Sequence, residues 1–408
     1  MTHPGAAPEV GSPLDGVLVL DLGQIYNGPY AGWLLGRMGA RVIKVESPRG
    51  DLIRQRTRDA RGPYSHLMLN SGKSSIVLDL ADEGDRESFL LLVERADVVI
   101  ENFSAGALDR LGLGWEVLHA KNPRLVLGSS SGFGSDGPYA HVPAMDLSVQ
   151  AMSGLISATG FADGPPVKSG AAITDFLAGT HLAAGILAAL YDRERSGLGR
   201  HVECAMLDAA TIAMCSSLSA VVDRGGEGPE RTGNRHPALS VSPYNVYRAA
   251  DGWIAINCPS QRHWELLAGA MGRTDLIADP RFHDPVARTQ AMDELDAIVE
   301  AWTSRRTRDE LWQVMTSAGV PCGPVRTAAE LLEDPHLRAR GSLVDVEDPV
   351  RGTLPLPTGA LRFHPGPPPS APTPAPDLGA DTDRVLAELT GRRTRRTRVP
   401  NDPQERHP

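Results

Sequence analysis

The sequence predicts an α/β protein in which a large domain with a mostly parallel sheet is followed by a smaller α+β domain. Three observations lead there. Short β-branched runs alternate with helix-like segments through roughly the first 130 residues. Those runs are continuously apolar, as strands covered on both faces must be. The texture then changes near residue 225 and changes again near 325.

The expected strands are GVLVLDL (16–22), ARVIKVE (40–46), SSIVLDL (74–80), ADVVIEN (96–102) and RLVLGSS (124–130). Between them lie AGWLLGRMG (31–39), EGDRESFLLLVERA (83–96) and the span around LGWEVLHAKNP (113–123). Turns rich in Gly and Pro at 131–139 and 160–170 precede a helical segment from Asp175 to about Tyr191, and HVECAMLDAATIAMCSSLSAV (201–221) follows. Residues 222–240 read as a connection. From Pro243 the strand-like VYRAADGWIAINC leads into helices ending with RDELWQVMTSAG, and a proline-dense strap occupies 364–377. Parallel sheets of this kind bind ligands beyond the carboxyl ends of their strands.

Composition excludes several classes. With 41% apolar and 22% charged residues, a chain of 408 can bury real cores. A formal charge of −9 argues against a nucleic-acid partner. Cys204, Cys215, Cys258 and Cys322 have no CxxC spacing, so neither a disulfide framework nor a zinc site is signalled and a reducing cytoplasm fits. No apolar run approaches the ~20 residues that span a bilayer, and the N-terminus lacks an apolar signal segment. His181 has no second histidine at metal spacing, and no metal is expected.

Three motifs fail on context. The stretch LGQIYNGPYAG after the first strand lacks GxGxxG. SGKSS (71–75) resembles the end of a phosphate loop, but Leu67 stands where its first glycine belongs and a strand follows. GSSSG (128–132) matches a nucleophile elbow at Ser130, yet turn residues rather than a helix come next.

Asp175 lies where SGAAIT gives way to FLAGTHLAAGILAAL. It could cap that helix, or stand in its first turn with Thr174 as the cap. Beside a ligand cavity it could equally be a nucleophile or a proton carrier, and the residues alone leave these roles open.

Several ordered blocks carry a resemblance: GARVIKVESPRGD (39–51), NSGKSSIVLDL (70–80), ADVVIENFSAGALDRLGLG (96–114), SGFGSDGPYA (131–140), SGAAITDFLAG (169–179), GLGRHVECAMLDA (197–209) and AGVPCGPV (318–325). The chain resembles the family III CoA-transferases, a group that includes formyl-CoA transferase, carnitine CoA-transferase and alpha-methylacyl-CoA racemase. The resemblance implies a Rossmann-like large domain, a smaller α+β domain and an interlocked homodimer. The corresponding boundaries are 1–224 for the first part of the large domain, 225–325 for the small domain and 326–390 for a C-terminal return; the basic RRTRRTR (392–398), framed by Gly391 and the polar NDPQERHP, makes 391–408 read from composition as a flexible tail.

It also implies roles. Asp175 falls at the position of the family's catalytic aspartate, which exchanges CoA between an acyl-CoA and a small carboxylic acid through an aspartyl anhydride and an aspartyl-CoA thioester. No tightly bound cofactor is required, since CoA is carried in as substrate. Asn102 and Arg110 match CoA-site residues, Leu78 an adenine-side contact, and Lys44 lies near the nucleotide region. Departures matter as well. Tyr26 stands where formyl-CoA transferase has a CoA-site glutamine, with Gln24 nearby, and Ser47 replaces a nucleotide-pocket arginine. Racemases carry a histidine before the aspartate corresponding to Asp146, whereas this chain has Met145, a thioether unable to shuttle a proton. Asp146 itself matches an acidic residue near the transferase centre. The family's glycine run is absent from GNRHPALSVSPYN (233–245), where Arg235 and His236 could meet a substrate carboxylate. The alternatives are an acyl-CoA racemase or isomerase and a non-catalytic CoA-binding protein.

Overall fold

The computed structural model describes residues 11–57, 61–366 and 371–391. The basic segment 392–398, read from sequence as part of a flexible tail, lies outside the described residues. Two compact units emerge. The first comprises residues 1–149, 172–210 and 334–408, and the second 150–171 and 211–333.

The first unit is built on six strands: β1 (Leu18–Asp21), β2 (Arg41–Glu46), β3 (Ser74–Val77), β4 (Val98–Glu101), β5 (Val126–Ser131) and β6 (His201–Ala205). Their order is β3-β2-β1-β4-β5-β6 and every pairing is parallel. This is the Rossmann order, with its reversal between β1 and β4. Alternation along each strand serves two cores. Leu18, Leu20, Ile43, Ile76 and Val99 pack with Phe89, Leu92, Leu118, Val385 and Leu386 on one face. Val19, Val42, Val98, Ile100 and Val126 pack with Leu35, Leu182 and Ile186 on the other. Double burial explains the unbroken apolar runs.

The sequence reading recognised five strands and missed β6. That edge strand alternates exposed and part-buried residues and so lacks the apolar signature.

The Ile173–Ser196 helix is the one among the described residues long and apolar enough to cross a membrane. The expectation of no such run undercounted it, because Asp175, Thr180 and His181 interrupt the apolar letters without interrupting the helix. Leu182, Ala183, Ile186, Ala189 and Leu190 are buried in the sheet's second core, so it is a core helix here. It seats closely because Gly128 faces Ile186. A Cβ on Gly128 would lie 2.7 Å from the Ile186 Cδ1 atom.

Residues from Asp334 onward belong to the first unit. Strands β10 (Leu343–Asp348) and β11 (Gly352–Pro357) form an antiparallel hairpin, and the Thr382–Thr390 helix delivers Val385 and Leu386 to the core. The edge of β3 is covered in the process. Ser75 N–H donates to Asp381 Oδ2 at 2.9 Å, and Val77 N–H to Thr382 Oγ1 at 3.0 Å.

In the second unit, β7 (Tyr244–Ala249), β8 (Gly252–Asn257) and β9 (Cys322–Pro324) form an antiparallel sheet. It packs on Trp264, Phe282, Leu295, Val299, Leu311 and Met315. This unit is larger than the expected 225–325. It begins at Thr211, inside the Met206–Ala213 helix where composition shows no break, and it gathers in residues 150–171. Arg231 holds that early segment, donating to the carbonyls of Ser157 and Phe161.

Candidate active site

The loop after β1, residues 22–26, and the start of the Asn27–Arg37 helix occupy the point where strand order reverses. Side chains from several elements hold this loop by its backbone. Asn102, just past β4, accepts the Gln24 N–H on Oδ1 at 2.6 Å and donates Nδ2 to Gln24 O at 2.9 Å. Asp21 accepts the Gly23 N–H at 2.8 Å and Asp51 the Ile25 N–H at 3.0 Å. Lys44 donates to Gly23 O, and Lys73 to Pro29 O at 2.9 Å. Within this hold Ile25 adopts φ 65°, a left-handed conformation that a β-branched residue resists. Such strain persists where surrounding bonds over-determine it.

Lys44 and Lys73 are buried and paired. Lys44 lies 3.2 Å from Asp51, and Lys73 lies 2.7 Å from Asp21. Burial opposes the Lys44 charge, but Asp21, Asp51 and Glu46 raise its pKa above the ordinary value. Burial, with help from Lys44, lowers Lys73 to about 8 despite Asp21. The SGKSS lysine is thus a loop anchor, and a strand follows it.

Two cavities open at this end of the sheet and share Gln24, Phe103 and Leu111. The smaller, about 200 Å³, is walled by Lys44, Glu46, Ser47, Asp51, Leu78 and Leu80 among others. The larger, about 740 Å³, takes in Asn27, Asn102, Arg110, Ser130, Met145 and Asp175. That volume suits a small-molecule site.

Asp175 is the third residue of the Ile173–Ser196 helix. The N-cap position is Ala172, which offers no side-chain hydrogen bond. The cap comes from elsewhere, since Asp146 Oδ1 accepts both the Thr174 N–H at 2.9 Å and the Thr174 hydroxyl at 2.7 Å. Asp175 is therefore relieved of capping and half-buried at the cavity wall. Burial and then the Asp146 carboxylate push its pKa up to about 7, with Arg56 pulling the other way.

Asn27 lies beneath this site. It is 1% exposed, its Nδ2 donates to Ser130 Oγ at 2.8 Å, and its Oδ1 has no partner among the described residues. Ser130 Oγ donates to Cys204 O at 3.0 Å, and Ser130 pairs with Cys204 in the sheet. Such a serine is ladder structure, so the elbow reading of GSSSG falls away. Gly179 lets the Asp175 helix approach, because a Cβ there would stand 2.8 Å from Asn27 O.

Asp175, Asn102 and Arg110 thus meet in one cavity, and Leu78 and Lys44 line the other. Arg110 is exposed and makes 3.3 Å contacts to Ala105 O and Ser104 Oγ. Leu78 is 2% exposed in the sheet core, and the Lys44 ammonium is committed to Gly23 and Asp51. Tyr26 is not among the residues walling either cavity. Its ring stacks on Phe176 at 6.1 Å, while Gln24 reaches both cavities.

Arg235 and His236 belong to the second unit. Arg235 pairs with Asp293 and Asp296, at 2.7 and 2.6 Å. His236 Nδ1 accepts the Ala238 N–H at 3.2 Å, and its ring meets Tyr244 edge-on. Sequence reasoning overlooked Asn27 and Arg56. A polar residue directly before the GPY turn was the available signal for Asn27, and nothing local marked Arg56. Among the described residues no cluster of three or more His, Cys, Asp or Glu is placed to hold a metal.

Comparison with known proteins agrees in length and fold. The sequence profile described as CoA-transferase family III matches residues 14–382. An acetyl-CoA:oxalate CoA-transferase of Acetobacter aceti is 42% identical over 340 residues, covering 81% of this chain and 85% of that protein. A succinyl-CoA–D-citramalate CoA-transferase of Chloroflexus aurantiacus is 39% identical over 383 residues, covering 93% and 94%. The crystal structure of a CaiB/BaiF family protein from Brucella suis superposes with a TM-score of 0.82 at 34% identity, covering 93% of this chain and all of that one. The chain belongs to the family III CoA-transferases and is an enzyme of that class.

Proposed function

We propose that the enzyme moves CoA from an acyl-CoA to a free carboxylic acid with Asp175 as the covalent nucleophile. The observation carrying this reading is a half-buried carboxylate with no capping duty, at the wall of a cavity it shares with Asn102 and Arg110. Asp175 attacks the thioester carbonyl, forming a mixed anhydride and releasing CoA thiolate. The thiolate attacks the aspartyl carbonyl, giving aspartyl-CoA and the donor acid. The acceptor carboxylate then attacks this thioester, and the returning thiolate takes the new acyl group, restoring Asp175. Each exchange conserves a thioester or an anhydride, so water must be kept out.

The cavities support the placement of the rest of the substrate. The smaller, bordered by Leu78 and Ser47, suits the nucleotide end, and Arg110 a phosphate. The Gln24 loop, clamped by Asn102, forms the bend between the two. Binding of this long handle orients the thioester at Asp175. The helix start supplies backbone N–H groups near the developing oxyanion. The relatives named above act on oxalate or D-citramalate, both dicarboxylic acids, and we infer the same class of acid here. The interlocked homodimer forms part of this reading.

The test supplies wild type and Asp175→Ala with an acyl-CoA and a panel of short acids in deuterated water. The expected result is a new acyl-CoA mass with wild type and none with the variant. Deuterium at the acyl α-carbon without a new thioester would reject transfer in favour of isomerisation.

A further inference from the structure

Glu101 is a buried carboxylate for which the chemistry at Asp175 has no use. It ends β4 and is 9% exposed. Among the described residues no ion pair neutralises it. Burial, aided by Glu203 and Asp109, pushes its pKa up to about 7, against the hydrogen bonds it accepts. Burying a charge without a counter-ion is costly unless such bonds hold it.

The bonds fix one turn. Glu101 Oε2 accepts the N–H of Phe103, two residues on, at 2.7 Å. Ser129, the partner of Glu101 across the sheet, supports the ionised carboxylate with its hydroxyl. Ser129 Oγ lies 2.9 Å from His201 Nε2, and the His201 ring stacks on Trp115 with centroids 5.8 Å apart. With the serine proton given to Glu101, Ser129 Oγ is the acceptor for His201, so the chain of donors converges on one carboxylate. The turn it fixes carries the junction of the two cavities, which share Gln24, Phe103 and Leu111. Phe103 is half-buried. It packs on the sheet's first core and presents its remaining surface to both cavities, so a ligand that spans them passes over its ring.

We propose that Glu101 is a positioning residue for CoA: by holding the Phe103 N–H it fixes the backbone from which the Phe103 ring reaches the crossing between the two cavities. The assignment rests on the reading in which CoA spans both cavities. Asn102 holds the Gln24 side of that crossing through its backbone, and Glu101 holds the Phe103 side. A ring already in place need not be ordered when CoA binds, and the saving appears as affinity.

The test measures dissociation constants for free CoA by calorimetry in wild type, Glu101→Ala, Glu101→Gln, Phe103→Ala, Ser129→Ala and the double variant Glu101→Ala with Phe103→Ala. Glu101→Ala is expected to raise Kd about tenfold, the order of a lost hydrogen bond to a charged group. Glu101→Gln keeps an acceptor for the Phe103 N–H and is expected within about threefold of wild type. Phe103→Ala is expected to raise Kd about tenfold, the order of one aromatic contact. In that background Glu101→Ala is expected to cost at most about twofold more, since the ring it positions is gone. A merely structural role would add its full loss there. The proposal is overturned if Glu101→Ala or Phe103→Ala leaves affinity within about twofold, if Glu101→Gln is as weak as Glu101→Ala, or if the two losses add. Should Glu101→Ala not fold, Ser129→Ala takes its place, with a loss of about threefold expected and unchanged affinity overturning the proposal. Wild type that binds no CoA refutes the two-cavity reading and this proposal with it, whereas wild type that binds CoA indifferently to Glu101 refutes this proposal alone.

Discussion

Asp146 Oδ1 receives two hydrogen bonds from one residue, the N–H of Thr174 at 2.9 Å and its hydroxyl at 2.7 Å. One carboxylate therefore closes the start of the Ile173–Ser196 helix and also adds its repulsion to burial, the larger cause, in raising the pKa of the next residue, Asp175. The two duties separate by substitution. Asp146→Asn keeps an acceptor oxygen but removes the charge, so the acid limb of the pH–rate profile is expected to move about one unit lower. Asp146→Ala loses the acceptor too and is expected to cost about 1 kcal/mol of stability in denaturant titration. A profile unmoved by Asp146→Asn would show that burial alone tunes Asp175.

Asp175 itself makes a linkage prediction. Its carboxyl in the fold titrates near 7 instead of its ordinary 3.8. The folded state thus favours the protonated form. Stability is greatest below about pH 4, declines as pH rises through 7, and the full penalty applies above that. Asp175→Asn removes the penalty, up to about 4 kcal/mol, while abolishing transfer. Its melting temperature should exceed wild type at pH 8 and converge with it toward pH 4. A variant less stable than wild type at pH 8 would contradict the assignment.

On the proposed reading, Asn102 acts on CoA through the Gln24 backbone, which it clamps with two hydrogen bonds. Asn102→Ala leaves the Gln24 N–H and carbonyl without their partner, a loss of about 1–3 kcal/mol. The expected result is a CoA dissociation constant raised about tenfold or more by calorimetry, with KM for acyl-CoA rising more than kcat falls. Unchanged CoA affinity would remove the clamp from the account.

Arg235 serves its own unit. It shares Asp296 with Asn245 and the Tyr247 hydroxyl. Arg235→Ala is expected to destabilise the protein by about 1–3 kcal/mol and to leave KM for the acid unchanged. A selective rise in that KM would instead favour the sequence expectation that Arg235 meets a substrate carboxylate.

The parallel sheet was legible because its strands are buried on both faces and spell out apolar runs. The edge strand His201–Ala205 was not, since one exposed side erases that signal. Asp175 stood out in the sequence, but its freedom from capping depends on Asp146, 29 positions earlier, and no local pattern reports that. Lys44 sat in a matching block and lines the smaller cavity, but no local pattern announced that its ammonium would also anchor the loop through Gly23 and Asp51. Arg54 and Arg56 are indistinguishable as letters. Glu46 decides which of them is spent, through a contact made only after β2 is in place.

The most direct measurement is intact-protein mass spectrometry after mixing the enzyme with an acyl-CoA and no acceptor, followed by peptide mapping. The account predicts a CoA adduct on the peptide containing Asp175, discharged by added acid and absent from Asp175→Ala. Transfer that proceeds with no enzyme-bound CoA, or in the Asp175→Ala variant, would contradict it.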